Sequence, residues 1–339
     1  MNEKLRLLEL LIRDSKNCSE IFRPGPYWSK KNFQTYKEIL VKGIKNFRGK
    51  DNNIGESFTD NQNIDILNNY YGGIKGIFKK FFECTYPFNN IFNRQIAITS
   101  SYLRELNTYK SHYFSSSEIT KELINRFNFD NTVNFGCEDY SLINNQKISH
   151  HYLVIADTHN NFKEKIDFDK IKTFFEIGGG FGANVHFLLQ NYKNIKKIIY
   201  LDLPVNLFIG TEYLKSFYGQ SVIDYSKTQN KEIIFQNNND LEIFCIPPWK
   251  IKDIKVKFDL FQNSNSFVEM TKSIIENYAF YLQNNMNNNS IIALSSYNSF
   301  DPNRTLDQKN LDTFFNLKFD KFFKKNIIPN KENVYLVSK

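Results

Sequence analysis

The stretch Phe174-Phe175-Glu176-Ile177-Gly178-Gly179-Gly180-Phe181-Gly182-Ala183 carries the sharpest chemical pattern in the chain. It follows a short apolar run and precedes an amphipathic one, so it reads as a strand, a glycine-rich turn and the opening of a helix. Glycines in such a turn let the backbone take φ > 0 and come close to a ligand, and the helix N-terminus adds the positive end of its dipole. Two ligand classes fit the spacing. Gly178, Gly180 and Ala183 match the G-x-G-x-x-G/A pattern of dinucleotide sites, and Asp202, 24 residues beyond Gly178, lies near where a ribose-binding acid belongs. Gly182 instead completes G-x-G-x-G, and Glu176 places a carboxylate two residues ahead of the first glycine. A pyrophosphate gains nothing from a carboxylate there. A ligand with a cationic amino-acid head, such as S-adenosylmethionine, does. A glycine turn that serves the fold alone is the third reading.

These residues resemble the class I S-adenosylmethionine-dependent methyltransferases. In that family an E/D-x-G-x-G-x-G turn holds the methionine portion and an acid closing the second strand binds the ribose hydroxyls; Glu176, Gly178, Gly180, Gly182 and Asp202 match those positions one by one. Gly179 inside the turn and Leu203 after the acid fall in the same binding set. The family's adenine pocket follows its third strand, which corresponds to Cys245 and Ile246, and Asn263 at the end of the fourth strand would face the cofactor. Two further blocks are similar to bacterial sugar O-methyltransferases: Tyr200-Leu201-Asp202-Leu203-Pro204, with its D-L-P, and Phe258 to Met270, which ends in S-F-x-E-M. The resemblance spans roughly Thr173 to Leu294 and implies O-methylation of a sugar hydroxyl, on a nucleotide-linked sugar or a surface-glycan precursor. The N-terminal half shares only Pro26-Tyr27-Trp28 with it loosely.

Methyl transfer to a sugar hydroxyl needs the acceptor aligned with the sulfonium methyl and a group that takes the proton. Glu269 is the first candidate base. It lies just past the fourth strand, and it stands ten residues beyond Asp259, where plant-type O-methyltransferases with the D-L-P block place a catalytic histidine. An acid there would equally suit the first turn of the following helix. His150 and His151, close to the expected domain junction, are the second candidates; a histidine pair bonded within a connector is the plainer account of them. His186, in the helix after the glycines, reads as structural. Hard divalent cations want several carboxylates, and Asn263 to Ser266 with Asn298 and Asp301 form an amide-rich, acid-poor set. No metal is expected.

The elements that must position these groups show in the hydrophobic pattern. From about Lys165 short apolar runs alternate with amphipathic helices, which predicts an α/β domain with a Rossmann-like, mostly parallel sheet. Strands are expected at Thr173–Ile177, Lys197–Leu201, Leu241–Ile246, Phe258–Phe261 and Ser290–Leu294. Two closing strands follow near Phe322–Ile328 and Val334–Val337, the last antiparallel by the resemblance. Pro204 suits the first turn of one helix and Gly219 its C-cap, while another helix is expected over Glu269–Gln283. Residues 1–164 read as a mostly helical, substrate-side region. Phe33, Tyr36, Leu40, Ile44 and Phe47 recur at helical spacing, as do Ile119, Leu123, Ile124 and Phe127, with Ser115 and Glu118 as a capping box. Breaks are expected at Gly49–Gly55, Gly72-Gly73 and Pro87–Asn90. The two parts are therefore 1–164 and 165–339.

Composition sets the outer limits. The chain has 339 residues, 41% of them hydrophobic and 16% aromatic, which supports a packed core and excludes wholesale disorder. No run approaches the roughly 18 apolar residues of a membrane span, and charged residues interrupt the first 15 positions, unlike a signal peptide. The scattered Cys18, Cys84, Cys137 and Cys245 read as reduced thiols of a cytoplasmic protein. A formal charge of +8 suits an anionic small-molecule or glycan-precursor substrate, although the Asn-, Lys-, Ile- and Phe-rich composition explains it as well. Lysines and arginines form no dense cluster, and no nucleic-acid partner is expected. O-Methylation of a non-sugar natural product is the rival activity; a non-catalytic Rossmann-like binding protein is the rival class.

Overall fold

The computed structural model describes residues 5–44, 47–49, 52–53, 114–135, 140–297, 308–328 and 332–338. The chain divides into two compact units: Met1–Ile44 with Thr158–Lys325 and Lys331–Lys339, and Lys45–Asp157 with Asn326–Asn330.

The first unit is built on an eight-stranded sheet. Its strands are β1 (Thr173–Ile177), β2 (Lys197–Leu201), β3 (Val222–Ile223), β4 (Glu242–Ile246), β5 (Phe258–Ser264), β6 (Met286–Tyr297), β7 (Phe319–Lys325) and β8 (Glu332–Ser338). Their order across the sheet is β7-β8-β6-β5-β1-β2-β4-β3. All pairs from β6 to β3 are parallel, while β8 runs antiparallel between β6 and β7. This is the α/β, mostly parallel arrangement with an antiparallel last strand that the sequence predicts. The central strands β1, β2 and β4 are largely apolar runs because both faces are covered; Phe174, Phe175, Ile198, Ile199, Ile243 and Phe244 are all buried.

Among the described residues, the longer helices within this unit are α1 (Arg6–Asn17), α2 (Pro26–Lys42), α3 (Ala183–Asn191), α4 (Pro204–Tyr218) and α5 (Lys272–Asn284). Proline at the first turn and Gly219 at φ +51 set the ends of α4 as expected. α2 ends at Gly43, at φ +68, so the helical spacing that runs on to Phe47 does not continue the helix. Residues 5–44 join the unit of the sheet instead of forming one body with the rest of residues 1–164. The cause is packing: Leu8 and Leu11 of α1 are fully buried, α1 lies against α4, and Asp14 accepts hydrogen bonds from Tyr225 Oη at 2.9 Å and Gln229 Nε2 at 2.6 Å.

Several boundaries differ from the expectations. β5 runs to Ser264 and β6 starts at Met286, since the strand pairing extends past the apolar residues. β7 is Phe319–Lys325, a face-alternating edge strand, and residues 326–328 belong to the other unit. In the second unit, the helix Glu118–Arg126 has Ser117 at its N-cap with no side-chain cap, so the Ser115–Glu118 capping box is absent; Glu118 pairs with Lys121 instead. The same unit holds an antiparallel hairpin, Tyr140–Ile143 with Gln146–Ser149. Asn144 and Asn145, at φ +50 and +63, make its two-residue turn. Gly72-Gly73, Pro87–Asn90, Cys84, Cys137, Asn298 and Asp301 lie outside the described residues.

Candidate functional site

The glycine turn joins β1 to α3, and three of its glycines need the backbone freedom that only glycine has. Gly178, Gly180 and Gly182 take φ of +76, +64 and +83, a region that costs other residues about 1–2 kcal/mol. Gly182 is the N-cap of α3, so the third glycine of G-x-G-x-G is a conformational requirement and Ala183 is merely the first helical residue. Gly179 is required for space: a Cβ there would overlap Glu176 Oε2 and lie 3.0 Å from Tyr200 Cε2. Around Gly180 a Cβ would meet nothing within 4 Å, so the turn opens at that point.

Glu176, on the last turn of β1 before the glycines, is 3% exposed. Its Oε1 accepts a 2.7 Å hydrogen bond from Asn184 Nδ2, whereas Oε2 is buried without a partner. Burial raises its carboxyl to about 8; the Asn184 bond opposes this and the charge of Asp202 adds to it. Asp202 closes β2 and is equally buried. Its Oδ1 accepts from Leu203 N at 2.7 Å and its Oδ2 from Gly180 N at 2.8 Å, so the acid ties the end of β2 to the glycine turn. Burial raises Asp202 to about 7, against the pull of those two N–H groups and of Asn206, while the charge of Glu269 pushes it further up. Tyr200, also on β2, donates its hydroxyl to the Gly180 carbonyl.

Asn263 and the Ser266 loop hold the end of β1 from the other side. Asn263 Nδ2 donates to Ile177 O at 2.8 Å and to Ser266 Oγ at 2.6 Å, and its Oδ1 accepts from Phe267 N at 3.1 Å. Its polar atoms thus brace the backbone. Cys245 and Ile246 are fully buried at the end of β4, and burial pushes the Cys245 thiol up to about 12, which fits a small hydrophobe. Trp249, just beyond, donates Nε1–H to Tyr225 Oη at 3.0 Å and plugs the core.

Glu269 ends the short 3-10 turn Phe267–Glu269 and is buried. It does not cap α5, whose N-cap is Thr271. Its Oε2 accepts the indole N–H of Trp28 at 2.8 Å, so a residue of α2 fixes its direction. Its charge acts on Asp202, which places it on the same side of the sheet as the turn. Beyond it, the tips of β5 and β6 carry Gln262, Ser264 and Ser295; the two serine hydroxyls are 3.0 Å apart.

The structure therefore gathers Glu176, Gly178, Gly179, Gly180, Gly182, Asp202, Leu203, Asn263 and Glu269 at the carboxyl edge of the sheet, where open α/β folds bind ligands. His150 and His151 belong to the other unit. There His150 is buried, its Nε2 2.7 Å from Ser141 Oγ and its ring stacked on Phe114 at 4.8 Å. His186 packs on Phe217, with Nδ1 2.7 Å from Tyr218 Oη. Sequence reasoning missed the bracing roles of Asn184 and Ser266 and the Trp28–Glu269 bond: the first two lie near their partners but in no recurring pattern, and the third joins residues 241 apart. Among the described residues no group of three or more His, Cys, Asp or Glu is placed to hold a metal ion, and no helix is long and apolar enough to cross a membrane.

No family model and no curated protein matches the chain. Solved structures with a related arrangement include the pyocyanin biosynthetic protein PhzM, 10% identical with a TM-score of 0.38; the match covers 56% of this chain and 56% of that one. An S-adenosylmethionine-dependent methyltransferase from Clostridium acetobutylicum ATCC 824 is 12% identical over 55% of this chain and 90% of that one, with a TM-score of 0.36. One from Leishmania major is 12% identical over 68% and 82%, with a TM-score of 0.40. Likenesses this remote carry no argument about what the chain binds or does, and its chemistry rests on the site itself.

Proposed function

We propose that the chain is an S-adenosylmethionine-dependent O-methyltransferase acting on a sugar hydroxyl. The observation that carries the cofactor is Glu176: a buried carboxylate with one oxygen unpartnered, packed so closely on Gly179 that a Cβ there would overlap it. A buried acceptor of this kind is costly unless something donates to it, and an amino-acid ammonium supplies both the donors and the charge. A dinucleotide offers neither at that position.

The residues fit the cofactor as follows. Glu176 takes the ammonium, Gly178 to Gly182 let the backbone close on the ligand, and Asp202, with Leu203, receives the ribose hydroxyls. Cys245 and Ile246 form the apolar floor for the adenine, and Asn263 holds the turn in place. The cofactor, when bound, supplies an activated methyl group to the acceptor hydroxyl. Glu269 then acts as the general base: it takes the proton of the hydroxyl, with Trp28 N–H holding the carboxylate in one direction, an assistance typically worth about 10²- to 10⁴-fold. The sugar acceptor rests on the likeness of the Tyr200–Pro204 and Phe258–Met270 blocks to sugar O-methyltransferases; Gln262 and Ser295 at the same edge are buried and bonded to Ser264.

Calorimetric titration with S-adenosylhomocysteine, with NAD in parallel, tests the cofactor. Micromolar binding of the first alone is expected. NAD binding would restore the dinucleotide reading of Gly178, Gly180 and Ala183, and binding of neither would point to a scaffold without a nucleotide. Transfer of labelled methyl to a panel of nucleotide sugars and of flat phenols then tests the acceptor class; label found only on the phenols would overturn the sugar assignment.

A further inference from the structure

A buried polar chain lies behind the glycine turn. His159, on the helix His150–Phe162, is fully buried among Phe168 and Phe187, each 5.1 Å from its ring, and Tyr192. Its Nε2 lies 2.7 Å from Asn184 Oδ1, and Asn184 Nδ2 donates to Glu176 Oε1 at 2.7 Å. Burial, with Lys163 nearby, lowers His159 to about 4, so the ring is neutral and carries a single N–H. Asn184 turns its oxygen to the ring and its nitrogen to Glu176, so that N–H is on Nε2. Nδ1, buried without a partner, is the bare nitrogen.

The direction of this chain has a consequence for Glu176. Oε1 is committed as an acceptor from Asn184. A proton on the carboxyl therefore sits on Oε2, the oxygen beside Gly179. The ionisable groups facing Glu176 are few: Asp202 and Tyr200 from β2 and His159 through Asn184, while its β5 neighbour Gln262 is neutral. None of them is a cation. Burial and Asp202 keep the carboxyl protonated at neutral pH until a cation arrives.

We propose that His159, acting through Asn184, is a positioning residue that locks Glu176 with Oε2 turned toward the ligand, so that the ligand's ammonium replaces a proton there. The O–H bond of Glu176 breaks heterolytically, its proton passes to the buffer, and the carboxylate pairs with the ammonium; no other bond changes. This rests on the proposed placement of the amino-acid head at the glycine turn. With His159 removed, the Asn184 amide is free to turn over, and its oxygen can then accept from a protonated Oε1. That favours the protonated carboxyl and opposes the cation.

The test is calorimetric titration of the full chain with S-adenosylhomocysteine at pH 6 to 8.5, in buffers of different ionisation enthalpy. The wild type should release close to one proton at pH 7, and its affinity should fall as pH drops below about 8, approaching tenfold per unit. Glu176→Gln should release none. His159→Leu should shift the pH profile upward, with affinity about tenfold weaker at pH 7 and close to normal at pH 8.5. His159→Gln, which can still offer an N–H to Asn184, should restore the wild-type profile. A loss equal at all pH values in His159→Leu would mean that the residue only fills space, and would overturn the inference. Absence of proton release in the wild type would overturn it without any variant. No binding by the wild type at any pH would instead remove the cofactor assignment on which the inference stands.

Discussion

Gly179→Ala displaces Glu176 without altering it, and so measures what the position of that carboxylate is worth. Gly179 is not among the residues with left-handed backbone, so alanine adds no conformational strain. Its Cβ would overlap Glu176 Oε2 and lie 2.6 Å from Glu176 Cδ. Carbon contacts settle at about 3.5–4.0 Å, so the carboxylate must move by roughly 1 Å, which changes its 2.7 Å bond to Asn184 and the direction of Oε2. A hydrogen bond to a charged group contributes about 1.5–3 kcal/mol, which converts to S-adenosylhomocysteine affinity weakened by roughly 10- to 150-fold.

The assay is calorimetric titration of Gly179→Ala, Glu176→Gln and the double variant, each with a thermal melt. If alanine acts through the carboxylate, the double variant should bind about as weakly as Glu176→Gln alone, because residues in contact are not additive. Gly180→Ala is the control for backbone strain. It takes φ +64 with nothing within 4 Å of the new methyl, so it should lower stability by about 1–2 kcal/mol. Wild-type affinity in Gly179→Ala would refute the role assigned to Glu176. Fully additive losses in the double variant would show that the methyl acts on something else.

The remaining predictions follow from the same edge of the sheet. Trp28→Phe removes the indole N–H that Glu269 accepts, a hydrogen bond to a charged group worth about 1.5–3 kcal/mol; turnover should fall roughly tenfold with ligand affinity unchanged, and an unaltered kcat would remove Trp28 as the group that positions Glu269. Asp202→Asn can accept only one of the two backbone N–H bonds from Gly180 and Leu203. Urea melts should show a loss of about 1–3 kcal/mol, together with weaker S-adenosylhomocysteine binding; wild-type values of both would remove Asp202 from the site. Glu176 at about 8 and Asp202 at about 7 are raised above their ordinary values of 4.5 and 3.8, so the folded, ligand-free chain keeps protons on them that the unfolded chain loses, while His159 and His186, lowered by burial to about 4 and about 3, oppose this below about 6.5. Its Tm should therefore fall as pH rises from about 6.5 to 8 and level off above, with a smaller fall in Glu176→Gln. A Tm that rises over that range in the wild type, with the same slope in Glu176→Gln, would contradict the burial of charge inferred here.

Which parts of this molecule were legible depends on how far apart the cooperating residues lie. β1 and β2 match the predicted bounds to the residue, because each is a short, mostly apolar run, buried after its first residue and stopped by a glycine turn or an acid. α4 is equally clear, since proline and glycine punctuate it. The hairpin at Tyr140–Ser149 hides behind a short mixed sequence; its cue was the Asn144-Asn145 pair, the type of turn that needs two left-handed residues. β3 has two residues and exists only because β4 offers it a partner edge. Whether α1 and α2 pack on the sheet is likewise not written in their own periodicity, which says that a face is buried but not against what.

The site divides along the same line. Glu176, the glycines and Asp202 could be read because a strand end, a turn and the next strand end recur at short, fixed spacings. The groups that set their direction and charge are bonded across the fold: Trp28 to Glu269 over 241 residues, His159 to Asn184 over 25, Asn184 to Glu176 over eight. They did leave a trace. Asn184 interrupts a helix whose other residues nearby are nearly all apolar, and His159 lies on a face otherwise made of buried carbon. A polar side chain in such a place must find a partner, and here each finds the other. Those two residues thus mark a polar axis through an apolar layer, one that ends on a carboxylate oxygen with no donor, Oε2 of Glu176. A fold has no structural need for that open end, whereas a cation-binding site does.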